Sequence, residues 1–376
     1  MKIKRIDAIA ISLPLTRPFK MAGVEIRDAE NVLVRVESDS GVVGWGEAAS
    51  APHMTGETLQ SMTAAVRYMA PGLLGLAAED FAGASRKMDE QMYGNQGAKA
   101  AVEMALHDAV GRAQNKPVYE LLGGRKRDRI PVLWMLSSGD TERDVAEARE
   151  RKAMGFIAYK IKVGVASPEP DAERTRRICE ALNGNVLISA DANQGWSVED
   201  AERYVRAVAD TTLDFFEQPV RGDDLAGMAR VAAASRIAIG ADEGIHSMAD
   251  IQRHHDAKAA KGLSLKTIKL GGMQPVMRGG RLCESLGMEV NLACKIAESS
   301  IATAAVVHLA SALPSVNWGV SLSSQYLAAD IATPLKVEQG HVAVPTGPGL
   351  GITVDEARVK KHRIDVDKIK ERAAEA

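Results

Sequence analysis

VLWML (132–136), YKIKV (159–163), VLISAD (186–191), LDFFEQ (213–218), IAIGAD (237–242), LSLKTI (263–268), MEVNLA (288–293) and VNWGV (316–320) are short β-rich runs. They start 24 to 28 residues apart, and the intervals carry helical patterns such as DVAEARERKAMG (144–155) and VEDAERYVRAVAD (198–210). A strand and a helix repeated eight times at near-constant spacing is the pattern of an α/β protein built as a parallel (β/α)8 barrel of the TIM type. An open doubly wound sheet is the alternative, because spacing alone does not prove that the last strand meets the first.

Outside that stretch the pattern changes. Residues 1–13, 30–38 and 41–48 read as three short antiparallel strands, the last two joined by the turn SDSG (38–41). From Thr55 to about Gly124 apolar residues recur at helical intervals, as in AAVEMALHDAVGRA (100–113), and LLGGRKRDR (121–129) reads as a link. The expected organisation is an α+β capping domain over residues 1–125 on a (β/α)7β barrel over 126–340. The tail from 341 to 376, through HVAVPTGPGLGITVDE (341–356), is expected to dock back onto the capping domain.

Composition excludes several classes. The chain has 376 residues, 46% hydrophobic and 26% charged, with a formal net charge of −2, which argues against disorder and gives no electrostatic reason to expect nucleic acid or acidic membranes as partners. No window approaches a membrane span, and MKIKRIDAIAISLPL (1–15) alternates too regularly for a signal peptide, so a cytoplasmic homo-oligomer is expected. Cys179, Cys283 and Cys294 are widely spaced and odd in number, which argues against a disulfide framework or a zinc site.

In such a barrel the reacting groups stand at the carboxyl ends of the strands. The second strand ends Lys160-Ile161-Lys162, the third at Asp191, the fourth at Glu217 and the fifth at Asp242; the sixth carries Lys266, and Glu298 follows the seventh. Barrel strands are packed with apolar side chains, so a charge at six successive strand ends needs a purpose. Alternation turns Lys160 and Lys162 to the same, inward face, and two adjacent ammonium groups are expected to lower the pKa of at least one toward that of a general base. For the KxK pair alone, a solvated surface strand is the bland alternative. Asp191, Glu217 and Asp242 lie on adjacent strands and can converge on a hard divalent cation, for which oxygen donors suit Mg²⁺, with Mn²⁺ also possible.

Several segments taken together carry a resemblance. GWGEA (44–48), AVEMALHDAVGRAQNKPVYELLGG (101–124), YKIKVG (159–164), DANQGW (191–196), FEQPV (216–220), ADEGI (241–245), LKTIKLGG (265–272) and GPGLGITVDE (347–356), in this order, are similar to the enolase superfamily in its muconate lactonizing enzyme subgroup, over essentially the full length. IPVLWMLSSGDTERDVAEA (130–148) looks like the barrel entry of muconate cycloisomerases. The resemblance implies that Asp191, Glu217 and Asp242 hold Mg²⁺, that Lys162 and Lys266 serve as acid and base on opposite faces of the substrate, and that Lys160 tunes Lys162 and helps hold the substrate carboxylate. It also implies the shared step, moving a proton α to a carboxylate through an enolate. Counting Lys160, Lys162, Lys266, the four acids and the metal leaves a slightly positive site, which suits a small anionic carboxylate substrate.

Two departures narrow the expectation. The eighth-strand region WGVSLSSQYLAAD (318–330) lacks the Asp-x-Asp pair of dipeptide epimerases, and NLACKIAES (291–299) lacks the His of mandelate-racemase-type members. Lys295 is expected either to pair locally with Glu298 or to meet a second anionic group of the substrate. Asn193, Glu298, Lys295, His53 in the SAPHMTGE loop (50–57) and Lys20 in another candidate lid loop are the expected substrate contacts, although for His53 a solvated loop position is the plainer alternative. The expected function is lactonisation of a muconate-like diacid. Racemisation, epimerisation or dehydration of an N-substituted amino acid or proline derivative is the second reading, and a non-catalytic ligand-binding barrel is the third.

Overall fold

A computed structural model of the chain describes residues 1–21 and 24–368. It begins with a three-stranded antiparallel sheet of β1 (Ile3–Met21), β2 (Val24–Ser38) and β3 (Val43–Ala49), in that order. The first two strands are longer than expected, because after a register shift between Pro14 and Phe19 the pairing resumes and runs on to Met21↔Val24. Pro14 and Pro18 have no N–H to give the ladder, which is why the sequence there reads as a loop. The candidate lid at Lys20 is therefore strand in its backbone, paired with Glu25; the Lys20 side chain lies outside the described residues.

The expected helical stretch forms helices Leu59–Leu73, Phe81–Gln91, Gln96–Ala113 and Val118–Leu121. Gln96–Ala113 is buried from Gly97 to Gly111. It lies so close to the sheet that a Cβ on Gly44 or Gly46 would stand 2.2 or 2.0 Å from the carbonyl oxygens of Ala105 and Ala101. This close approach is what the glycines of GWGEA and the alanines of AAVEMALHDAV permit.

After the short β4 (Arg129–Pro131) come the barrel strands β5 (Leu133–Leu136), β6 (Ala158–Lys162), β7 (Leu187–Asp191), β8 (Phe215–Glu217), β9 (Ala238–Ala241), β10 (Gly262–Leu265), β11 (Glu289–Ala293) and β12 (Val320–Ser321). All are parallel to their neighbours in unbroken order, and a parallel bridge between Val132 and Val320 joins the last strand to the first. The barrel is closed, and the open-sheet alternative is excluded. A helix follows each of the first seven strands, whereas β12 leads into the 3₁₀ turn Ser324–Tyr326. At the amino end, Trp318 stacks on Phe215 with ring centroids 4.1 Å apart, and Gly262 leaves the space the indole fills.

β13 (Val337–Glu338) and β14 (His341–Ala343) pair back onto β4. The chain then returns to the first sheet, with Val118 N–H donating to Gly349 O and Ile364 N–H to Ala10 O, both at 2.9 Å. The three cysteines are free and buried. Among the described residues no helix is long and apolar enough to cross a membrane.

Candidate active site

At the carboxyl ends of the barrel strands a cavity of about 790 Å³ opens beneath the β1–β2 hairpin and the 50–57 loop. Register sets its floor: Lys162 lies opposite Asp191 across β6 and β7, and Asp191 opposite Glu217 across β7 and β8. Asp242 follows the end of β9 directly, and Lys266 the end of β10. All three carboxylates are buried, and each is met by an amine. Lys162 Nζ donates to Asp191 Oδ2 and Asn193 Oδ1, both at 2.6 Å; Lys160 Nζ donates to Glu217 Oε2 at 2.5 Å and lies 3.8 Å from Asp191. Lys266 Nζ donates to Asp242 Oδ2.

The expected mutual depression of the lysine pKa values does not describe Lys160. Burial disfavours its ammonium, but Glu217 and then Asp191 outweigh burial and hold its pKa above the ordinary value. Lys266 is raised in the same way, with Asp242 overcoming burial. Burial acts against the Asp242 charge too, yet Lys266 and Lys269 keep its carboxyl well below the usual range. For Lys160 and Lys266 direct contact with a carboxylate outweighs burial and the neighbouring ammonium groups, whereas for Lys269, on the same Asp242, burial wins and lowers the pKa.

Lys269 escaped the sequence reading. It is fully buried in the four-residue turn Thr267–Leu270, and donates to Asp242 Oδ1 at 2.5 Å and Ser264 O at 2.8 Å. The spacing in Lys266-Thr-Ile-Lys269 was its one signal, and a single helical turn shows too little periodicity to call. Ser264 was missed as well; its hydroxyl donates to Glu217 Oε1 at 2.6 Å. Asn193 lines the cavity and donates through Nδ2 to Glu243 Oε1 at 3.0 Å. Burial first, then Asp242 and Asp191, push the Glu243 carboxyl up to about 7, and its Oε2 has no partner among the described residues.

The oxygen-only donor set tests the expected metal. Among the described residues no three His, Cys, Asp or Glu side chains already form a metal cage, since lysines occupy the carboxylates. Asp191, Glu217 and Asp242 nevertheless issue from three adjacent strand ends. Asp191 and Asp242 each disfavour the other's charge or that of Glu243, so a cation among them relieves real crowding. The donors fit a hard divalent ion.

Of the remaining expected contacts, His53 and Lys295 line the cavity. Glu298 does not. It is 1% exposed and lies behind the wall, where its Oε2 accepts the Lys295 backbone N–H at 3.0 Å and its Oε1 is unpartnered among the described residues. The expected side-chain pair between Lys295 and Glu298 is thus a backbone contact. Burial, then Glu47, push the Glu298 carboxyl up to about 8.

Known proteins of this shape carry related chemistry. Residues 5–123 match the mandelate racemase / muconate lactonizing enzyme N-terminal domain, and residues 143–358 match the enolase C-terminal domain-like family. A chloromuconate cycloisomerase of Cupriavidus pinatubonensis is 33% identical over 96% of this chain and 99% of its own length. An N-succinyl-L-Arg/Lys racemase of Bacillus cereus is 30% identical over 95% of this chain and 96% of its own. The crystal structure of the muconate lactonizing enzyme from Pseudomonas fluorescens complexed with muconolactone superposes with a TM-score of 0.92 at 32% identity, covering 96% of this chain and 99% of that one. Enzymes of this family generally use a divalent metal. With both family domains matched and isomerases aligned to it from end to end, the chain belongs to the mandelate racemase / muconate lactonizing enzyme family of the enolase superfamily, as an isomerase of the cycloisomerase and racemase type.

Proposed function

We propose that the protein lactonises a cis,cis-muconate-like diacid, moving a proton at the carbon α to one carboxylate. The carrying observation is that Lys162 and Lys266 line one cavity from the second and sixth strands of the ring, with three carboxylates on the strands between them. Asp191, Glu217 and Asp242 are the proposed metal ligands, with Mg²⁺ favoured and Mn²⁺ accommodated by the same oxygens. The bound cation supplies fixed positive charge opposite the developing enolate oxygens.

The chain's own groups do the rest. In the lactonising direction one substrate carboxylate adds through oxygen to the distal double bond, and the displaced electron pair moves onto the α-carbon and its carboxylate. A lysine ammonium then delivers its proton to that carbon and is reprotonated from solvent. Lys160 holds the reacting carboxylate, and Asn193, bonded to Lys162 and Glu243, fixes the direction of the Lys162 amine. Lys269 and Lys295 add cations to the floor and wall, which supports an anionic substrate.

The symmetric pairing of Lys162 with Asp191 and Lys266 with Asp242 favours racemisation of an N-acylated amino acid as the second reading, since racemisation needs a proton carrier on each face. Turnover in deuterium oxide separates the two. Lactonisation places label on one face of the α-carbon, and racemisation places it in both product configurations. Lys162→Ala and Lys266→Ala should each lower turnover by about 10² to 10⁴; near-wild-type turnover in both would overturn the two-lysine reading.

A further inference from the structure

Four lysines line the cavity, and three of them are bound to carboxylates: Lys160 to Glu217, Lys162 to Asp191 and Lys266 to Asp242. Lys295 is the exception. It lines the cavity two residues beyond the end of β11, and among the described residues no carboxylate forms an ion pair with its Nζ. Its position is nonetheless fixed, because its backbone N–H is held by Glu298 and the preceding Cys294 N–H donates to Ser321 O at 2.8 Å.

Ser321 ends the adjacent strand. Ala293 of β11 and Ser321 of β12 are direct Cα partners, so Lys295, two residues beyond Ala293, and Ser321 issue from the same end of neighbouring strands. Ser321 also lines the cavity, and its buried hydroxyl oxygen has no hydrogen-bond partner among the described residues. A buried donor left unused costs free energy unless a ligand satisfies it. Burial, the largest influence, lowers the Lys295 amine to about 8, against the pull of the carboxyls of Glu298 behind it and Glu30 on β2 and with Lys266 adding to the lowering.

We infer that Lys295 and Ser321 form the subsite for the second carboxylate of a dicarboxylate substrate, across the ring from the carboxylates of the third to fifth strands. This rests on the reading of the cavity as a site for proton transfer α to a carboxylate. It deepens that reading by assigning what recognises the other end of the molecule. An ammonium and a hydroxyl at adjacent strand ends offer a carboxylate one charge-assisted and one neutral hydrogen bond.

The test is calorimetric binding of adipate, an unreactive saturated six-carbon diacid, and of its monomethyl ester, to the full chain in Mg²⁺ buffer. Wild-type protein should bind adipate at least about tenfold more tightly than the ester, the value of one hydrogen bond to a charged group. Lys295→Met should remove most of that ratio while leaving ester affinity unchanged, and Ser321→Ala should reduce the ratio about threefold. Absence of discrimination in the wild type, or discrimination that survives in both Lys295→Met and Lys295→Gln, overturns the inference. A wild type that lactonises muconate without preferring the diacid would sink this subsite and spare the proposed reaction. One that prefers the diacid but moves no α-proton would do the reverse.

Discussion

Glu217 takes a lysine on one oxygen and a serine hydroxyl on the other, so its charge and its shape can be separated experimentally. Glu217→Gln retains an oxygen to accept from Ser264 but no longer offers a carboxylate. Turnover should fall by more than about 10² while the circular dichroism spectrum is unchanged. Wild-type rates in this variant would remove Glu217 from the metal site. Glu298 and Glu47 invite a different measurement. Both carboxyls are buried and pushed up, to about 8 and about 7, so the folded protein holds their protons more tightly than the unfolded chain does. The protonated forms favour folding, and the associated stability is lost as pH rises from the ordinary carboxyl range through those values. Glu298→Gln should flatten the decline of Tm between about pH 5 and pH 8 relative to wild type. A parallel pair of Tm curves would show that Glu298 is ionised throughout.

The roof of the cavity is made of two elements that the sequence revealed unequally. The 50–57 loop is closed on itself by the Ala51 N–H to Glu57 O bond at 3.0 Å. The Glu57 carboxylate accepts the Gly97 and Ala98 N–H groups, which anchors the loop to the start of the Gln96–Ala113 helix. Glu57→Ala leaves those buried donors unpaired. It should cost about 1 to 3 kcal/mol and raise KM more than it lowers kcat, as steady-state kinetics would reveal. His53→Ala, by contrast, should alter relative rates among diacids and N-acyl amino acids more than it alters Tm, because His53 lines the cavity and among the described residues no side-chain hydrogen bond ties it to the scaffold; an equal loss for every substrate would assign it a structural role. The barrel strands were legible because charged residues interrupt apolar runs at a constant spacing, and Asp191, Glu217, Lys162 and Lys266 stand where that pattern put them. The β1–β2 hairpin beyond Pro14 was not legible, since its pairing is set by contacts between strands and its prolines mimic a loop. Lys269 and Ser264 stayed hidden because neighbours from other strands, not spacing along the chain, give them their partners.

At the scale of the molecule, sheet, helix and returning tail meet at one buried carboxylate. Asp108 accepts the Trp45 N–H at 2.9 Å and the Leu350 N–H at 2.8 Å, and is paired with Arg112. Asp108→Ala should cost about 1 to 3 kcal/mol for each of the buried Trp45 and Leu350 N–H groups it leaves unpaired. Differential scanning calorimetry would register this, and a shift in Tm below one degree would show that the junction holds without it. The other end of the barrel is stopped by Trp318 against Phe215. The cavity opens beneath the roof at the opposite end, so substrate and product share that way in and out. Product should therefore compete with substrate for the free protein, as steady-state inhibition patterns would check; a noncompetitive pattern would show a second route.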